Sequence, residues 1–349
     1  MATLRNNRLR INIEKPGQEY LGSRFDWTGF ITQITLDNEF TFCVPEQLEK
    51  DKGTGGLGFC NEFGIDMPIG YEQTDVGELF PKIGVGLLTK DSEADYDFFK
   101  TYSIEKAKVS EVKISEHEYQ VSSMIKNNQY EIWLTKKISI MQNKLLINYT
   151  LINKGENRIK TNEYCHNFIG INRISDHQII SNQLSDNQLG NNQMNGNRPN
   201  NQMNSNKLHD NQLGSNQTNM NNIKSRMTED TLKHIGQDQI LEFPNSVNIQ
   251  VKVGDCEANK SKISWKKEPE DDFYAIIDLQ KGETKVNWDF YDKTYQVGVR
   301  DYSDFEISKC SLWGTTHVVS PELFIRIDLK EGEKMHWKRT YEFYKRDKP

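Results

Sequence analysis

The passage "YEIWLTKKISI" (Tyr130–Ile140), a short turn, and then "KLLINYTLIN" (Lys144–Asn153) alternates apolar and polar residues through two long runs. Successive side chains of a strand point to opposite faces, so this period of two marks half-buried strands, not amphipathic helices. The same alternation recurs in "RLRINIEK", "FITQITL", "YQVSSMI", "VNIQVKV", "FYAIIDL", "KVNWDFY", "YQVGVRDY" and "LFIRIDL". Between the runs stand turn signals: "KNNQ" (Lys126–Gln129), "NKGEN" (Asn153–Asn157), "QKGET" (Gln280–Thr284) and "KEGEK" (Lys330–Lys334). Many strands at short spacing, separated by Gly and Asn turns, predict an all-β antiparallel sandwich or barrel. Helix is nearly absent; "PEQLEKD" (Pro45–Asp51) has room for a turn or two.

The chain has 349 residues, enough for a substantial core, and a formal net charge of -6. With no long basic run, nucleic acid is not expected as a partner. No apolar run approaches the roughly 18 residues of a membrane span, and "MATLRNNRLRINIEK" has no apolar h-region, so a cytoplasmic protein without signal peptide is expected. Five scattered cysteines, Cys43, Cys60, Cys165, Cys256 and Cys310, include no CxxC, which argues for free thiols over disulfides or zinc.

One segment has a different composition. From Ser181 to Asn222, 21 of 42 residues are Asn or Gln. Leu184, Leu189 and Met194 fall five apart, as do Met203, Leu208 and Leu213, a spacing also found in pentapeptide β-helices. The tract lacks the small residues that turn such corners and buries too little apolar surface to order itself, so residues 174–222 read as a low-complexity insertion. Similar strands flank it on both sides, so 1–349 is expected to be one β-sandwich domain.

"GTGGLG" (Gly53–Gly58) matches G-x-G-x-x-G, but a dinucleotide site needs a strand before it and a helix after it. "QLEKDK" precedes it, and Gly64, Pro68 and Gly70 in the following sequence prevent a helix. Nucleotide binding is rejected; the glycines shape a loop, placed by expectation over a pocket. In "TNEYCHNFIGIN" (Thr161–Asn172) a strand sets Tyr164, His166 and Phe168 on one face, an imidazole between two aromatic rings. His317 lies in "SLWGTTHVVSPELFIRIDL", where Glu322 follows Pro321 and is expected at the start of the apolar strand, pointing into a cavity. Lys82 in "FPKIGVGLLTK" and Arg24 in "GSRFDW" are candidate grips for a hydroxyl, carboxylate or phosphate, or else snorkel outward. Each histidine has a purely structural alternative. His117, His177, His209 and His234 read as solvated, and neither HExxH nor a His-x3–5-His pair is present, so no metal is expected.

Together "TNEYCHNFIGIN", "EFGIDMPIGYEQTDVGELFPKIGVGLLTK" and "VVSPELFIRIDLKEGEKMHWKRTYEF" resemble the galactose mutarotase-like superfamily, the aldose 1-epimerases, in its divergent bacterial-type members. The resemblance covers nearly the whole chain except the Asn-rich insertion and rests on order and spacing. It implies a large antiparallel β-sandwich, a small-molecule sugar as partner, no cofactor, and interconversion of aldose or sugar-phosphate anomers by general acid–base ring opening. On it, His166 takes the place of the acid and Glu322 that of the base, with Tyr164 and Phe168 as an apolar wall for the sugar ring. Lys82, Arg24 and His317 are the further substrate-binding candidates. The "LHGG" and "LETQ" segments of the better-known galactose mutarotases have no counterpart here. Three other readings share the sandwich: a non-catalytic carbohydrate-binding protein, a polysaccharide lyase- or hydrolase-associated domain, and a scaffold that has lost its pocket. The sequence leaves the oligomeric state open.

Overall fold

A computed structural model describes residues 1–49, 52–174, 232–244 and 247–346. The Asn-rich insertion, its five-residue apolar spacing, His177 and His209 all lie outside the described residues, apart from Ile174 at the start of the insertion. What is described forms twenty-four strands and one three-residue 3-10 turn, Tyr71–Gln73.

Two large antiparallel sheets face each other. The eleven-stranded sheet runs Ala2–Arg5, Leu9–Ile13, Ile31–Leu36, Phe40–Cys43, Ile169–Arg173, Val318–Leu329, Lys309–Thr315, Phe273–Leu279 and Val247–Val253. Strands Ile159–Asn167 and Phe59–Phe63 also belong to it, the first pairing with both Val318–Leu329 and the second. The ten-stranded sheet runs Glu257–Asn259, Lys262–Ser264, Gln239–Glu242, Asp289–Asp292, Val297–Asp301, Lys334–Lys345, Lys144–Asn153, Glu131–Met141, Glu118–Lys126 and Lys108–Ser115. A small three-stranded sheet, Leu79–Lys82, Gly86–Thr89 and Ile104–Lys106, stands apart.

Alternation dictates the layering. In Glu131–Met141, Ile132, Leu134, Ile138 and Ile140 are buried, while Trp133, Lys137 and Met141 face out. They join a main core with Ile11, Ile34, Phe59, Ile325, Ile327 and Tyr341, contributed by both sheets. Lys136 breaks the apolar side of the pattern. Its buried ammonium is tied to Asp26 Oδ2 (2.6 Å), Asn61 Oδ1 (2.7 Å) and the Thr28 carbonyl (2.8 Å), the partnering a buried charge requires.

A second apolar cluster contains Tyr20, Phe25, Trp27, Phe30, Val44, Leu57, Tyr71, Phe80, Val85, Leu88, Phe168 and Val318. It joins the N-terminal loop and the small sheet to one face of the eleven-stranded sheet, so that face is covered too. Pro45–Glu49 is not helical; the Glu46 carboxylate instead accepts the backbone N–H groups of Thr54 and Gly56. Of "KVNWDFY", only the last three residues, the start of strand Asp289–Asp292, are strand, the preceding residues being irregular.

Candidate active site

The candidate site lies where two neighbouring strands separate. Ile159–Asn167 is paired with Val318–Leu329 from Ile159↔Leu329 to Glu163↔Ile325. Beyond Glu163 it pairs instead with Phe59–Phe63, and contact with Val318–Leu329 resumes at Ile169↔Val319 in the same register. Between these points the backbone ladder is open and side chains fill the gap. The unbroken register brings Tyr164 level with Phe324 and His166 level with Glu322.

Glu322 is therefore not at the start of a strand, as its position after Pro321 suggested. The strand begins at Val318 and holds both residues within it. Proline is normally excluded from a sheet interior because it cannot donate to the ladder. Here the Pro321 carbonyl points into the gap, where it accepts from Asn167 Nδ2 (2.6 Å). Its nitrogen faces the same side, where no ladder exists to be broken.

His166 Nε2 and Glu322 Oε1 are 3.1 Å apart, and the two residues are only 4 % and 6 % exposed. Ser311, paired with Glu322 on the next strand, donates to its Oε2 (2.8 Å). Ser320 Oγ accepts the Asn167 N–H (3.1 Å) and lies 2.7 Å from His166 Nδ1. Phe168 stacks on the imidazole, with centroids 3.9 Å apart and planes 11° from parallel. Phe25 and Trp313 meet it edge-on, and Tyr164 leans against it at 5.6 Å.

Burial controls the protonation of the pair. It pushes the Glu322 carboxyl up to about 7, against the opposing effects of the Ser311 hydrogen bond and the Arg24 charge. Burial, and then Arg24, drive the His166 imidazolium well below the usual histidine range. Below about pH 7 the pair therefore carries its titrating proton on the carboxyl, with the imidazole neutral and Nε2 3.1 Å from Glu322 Oε1. A protonated Glu322 can only donate toward Nε2, an arrangement that calls for the ring proton on Nδ1, 2.7 Å from Ser320 Oγ.

Arg24 and Lys82 lie beside this pair, buried and not snorkelling. Both are committed to Glu62, a fully buried carboxylate level with Tyr164. Arg24 Nε donates to Glu62 Oε2 (2.8 Å), Nη1 to Glu46 (3.3 Å) and Thr54 Oγ1 (3.1 Å), and Nη2 to Tyr164 Oη (3.2 Å). Its guanidinium is covered by Phe25 and Phe98 at 4.7 and 4.6 Å. Burial alone would depress the guanidinium, but Tyr164, Glu62 and Glu46 hold it well above its ordinary value. Lys82 Nζ reaches Glu62 Oε1 (3.5 Å) and Tyr96 Oη (2.9 Å); burial lowers its pKa, with Glu62 opposing. Tyr164 donates to Glu62 Oε2 (2.7 Å) and its buried ring stacks on Phe324, so its hydroxyl serves this network while its ring packs against the neighbouring strand.

The glycine loop does lie against the site. Thr54 touches Arg24, and a Cβ on Gly56 would come 2.3 Å from the Phe168 ring, so only glycine allows this approach. His317 uses Nε2 to hold the Pro45 carbonyl (2.8 Å), a bond that fastens this loop region to the sheet. Arg173, at the end of strand Ile169–Arg173, points outward and pairs with Glu39. Sequence reasoning missed Glu62, Ser311, Ser320 and Trp313. "FCNEF" is a strand with period two, and alternation alone would have put Cys60 and Glu62 on one face. Among the described residues no group of three or more His, Cys, Asp or Glu is arranged to hold a metal, and no helix is long and apolar enough to cross a membrane.

Solved structures share this architecture end to end. A protein of Synechocystis sp. PCC 6803 aligns over 99% of this chain and 96% of its own, with TM-score 0.54 and 9% identity. A galactose mutarotase-like protein from Lactobacillus casei ATCC 334 aligns over 99% and 100%, with TM-score 0.51 and 9% identity. The fold is galactose mutarotase-like. An aldose 1-epimerase candidate from Escherichia coli K12 has the same galactose mutarotase-like sandwich, with 98% of each chain covered, TM-score 0.53 and 7% identity. No protein-family model matches the sequence, and no curated protein matches it. At these identities the likeness establishes the sandwich and leaves the chemistry to the residues.

Proposed function

We propose that this chain binds an aldose beside His166 and interconverts its anomers, with Glu322 as base and His166 as acid. The observation that carries the reading is the buried His166–Glu322 contact, with Glu322 pushed up to about 7. Anomerisation moves one proton off the C1 hydroxyl and another onto the ring oxygen. Both oxygens are bonded to the same carbon, so the acid and base must stand close together. A carboxyl near 7 and an imidazole are suited to this exchange at neutral pH.

The reaction begins when the sugar enters between the two groups. The carboxyl proton passes to the imidazole, and the freed carboxylate takes the proton of the C1 hydroxyl. The imidazolium Nε2 protonates the ring oxygen as the C1–O bond breaks. Rotation about C1–C2 presents the other carbonyl face, and the ring recloses by the reverse transfers. Ser311 and Ser320 hold the carboxylate and the ring in place. Phe168, Trp313 and Phe25 exclude water around them.

Two-dimensional exchange NMR on a panel of free and phosphorylated aldoses tests this. Wild-type protein should accelerate anomer exchange for at least one sugar. His166→Ala and Glu322→Gln should each lower the rate at least about a hundredfold, the scale of one acid or base. Saturable sugar-induced shifts without faster exchange would instead make the chain a non-catalytic sugar-binding protein. Near-wild-type exchange by either variant would remove that residue from its role.

A further inference from the structure

The outermost strand of the ten-stranded sheet, Lys108–Ser115, is exposed at all eight positions. Among the described residues its only ladder partner is Glu118–Lys126, so its other edge presents unpaired backbone groups. Natural sheets blunt such edges with proline, bulges or charges, because an open edge invites pairing with another chain. This strand, "KVSEVKIS", has no proline, the one irregularity of its ladder lies at the turn beside Glu118, and its three charges, Lys108, Glu111 and Lys113, are of mixed sign, so they repel a like edge only in the wrong register. Val109, Val112 and Ile114 are 37%, 56% and 51% exposed, more apolar surface than an edge strand needs.

We propose that this edge pairs with the same edge of a second copy, forming a twofold antiparallel dimer centred on Val112. The charge order along the strand selects the register. Turning the strand about Val112 brings Glu111 opposite the second copy's Lys113, and Lys113 opposite its Glu111. Lys108 comes level with Glu116, the residue after the strand. A centre at Glu111 would oppose two carboxylates, and a centre at Lys113 two ammonium groups. Only the Val112 centre sets every charge of the strand against its opposite, and like charges directly opposite are unfavourable. Within one copy Glu111 already accepts from Tyr119 Oη (2.6 Å) and Lys113 Nζ from its side donates to Glu116 (3.0 Å). Both side chains are thus held near the strand, and Glu116 also pairs with Arg5 (3.1 Å), so contacts across the axis add to bonds already made within each copy. A ladder of seven strand residues per copy, 109–115, is a small interface, so the association is weak and reversible.

Sedimentation equilibrium of the full chain, over about 1–200 µM to span a weak interface, tests this. Wild type should pass from monomer to dimer within that range. Glu111→Lys sets lysine against lysine at both symmetry-related places and should raise the dissociation constant about tenfold. Val112→Lys, opposing two lysines on the axis, should do the same. The exchanged double variant, Glu111→Lys with Lys113→Glu, is again self-complementary and should recover the dimer. A wild type that stays monomeric throughout, or a dimer that Glu111→Lys and Val112→Lys leave unchanged, overturns the proposal. All these positions are exposed, and unchanged circular dichroism confirms that each variant is folded. None of them touches the candidate active site.

Discussion

Glu322→Gln removes the one group in the candidate site that burial holds near neutrality, so it should change how stability depends on pH. The native carboxyl titrates at about 7 against an ordinary value of 4.5. Between those values the native state holds a proton that the unfolded chain has released. Unfolding free energy therefore falls as pH rises through this window, and the contribution is fully present only below the unfolded value. At about 1.4 kcal/mol per pKa unit, a difference of about 2.5 units corresponds to roughly 3 kcal/mol. His166 acts in the opposite sense: its depressed native pKa makes stability fall as pH drops through the ordinary histidine range. Comparing two proteins that both contain His166 separates the two effects. Urea unfolding of wild type and Glu322→Gln at about pH 4.5 and pH 8.5 supplies four free energies. The difference between the proteins should shift by about 3 kcal/mol, with the variant relatively more stable at the higher pH. Glutamine keeps an acceptor for Ser311, so the comparison isolates the charge. A difference that does not move with pH would falsify the raised carboxyl, and with it the carboxyl proton from which the acid–base assignment starts.

Two further substitutions probe the surroundings of this pair. Arg24→Leu leaves the fully buried Glu62 with only the longer Lys82 contact and Tyr164, and should cost about 3–5 kcal/mol in chemical denaturation; a loss below about 1 kcal/mol would mean that Glu62 is solvated or protonated. Gly56→Ala drives a methyl to 2.3 Å from the Phe168 ring and should cost about 1–3 kcal/mol in the same assay. Combining it with Phe168→Leu should cost less than the sum of the two single changes, and strict additivity would show that the loop does not rest on that ring.

The architecture was legible because burial writes a period of two into each strand. Glu131–Met141 and Lys144–Asn153 alternate in burial throughout, with the polar Lys136 and Asn153 as exceptions on the apolar side, and both stand in the ten-stranded sheet. The alternation fails where a strand is covered on both faces. Phe59–Phe63 is buried at every residue and Ile159–Asn167 at all but Lys160, so neither displays a polar side. Lys108–Ser115 is hidden for the opposite reason, since an edge strand exposed throughout has no apolar side to show. "PEQLEKD" (Pro45–Asp51) has room for a turn or two of helix, yet Pro45–Glu49 is not helical and the Glu46 carboxylate is spent on backbone donors of the glycine loop.

The site was legible in part, and the reason lies in how the sheet creates it. The face shared by Tyr164, His166 and Phe168 follows from strand geometry, and the rings do gather around the imidazole. Nothing local to "VSPEL" shows that Glu322 lies opposite His166, because their meeting depends on a register between strands 156 residues apart in the chain. That register is anchored at Glu163↔Ile325 and Ile169↔Val319, on either side of the open stretch. Pro321 belongs to the same logic. A residue with an N–H at that position could rebuild part of the ladder and draw the strands together, whereas proline can only accept. The gap is then held by Asn167, whose backbone N–H and side-chain amide bond Ser320 and Pro321 across it. His166 and Glu322 so placed are fixed by the two ends of a split in the sheet, with no loop needed to bring them together. This is why the pair can remain buried, close and oriented.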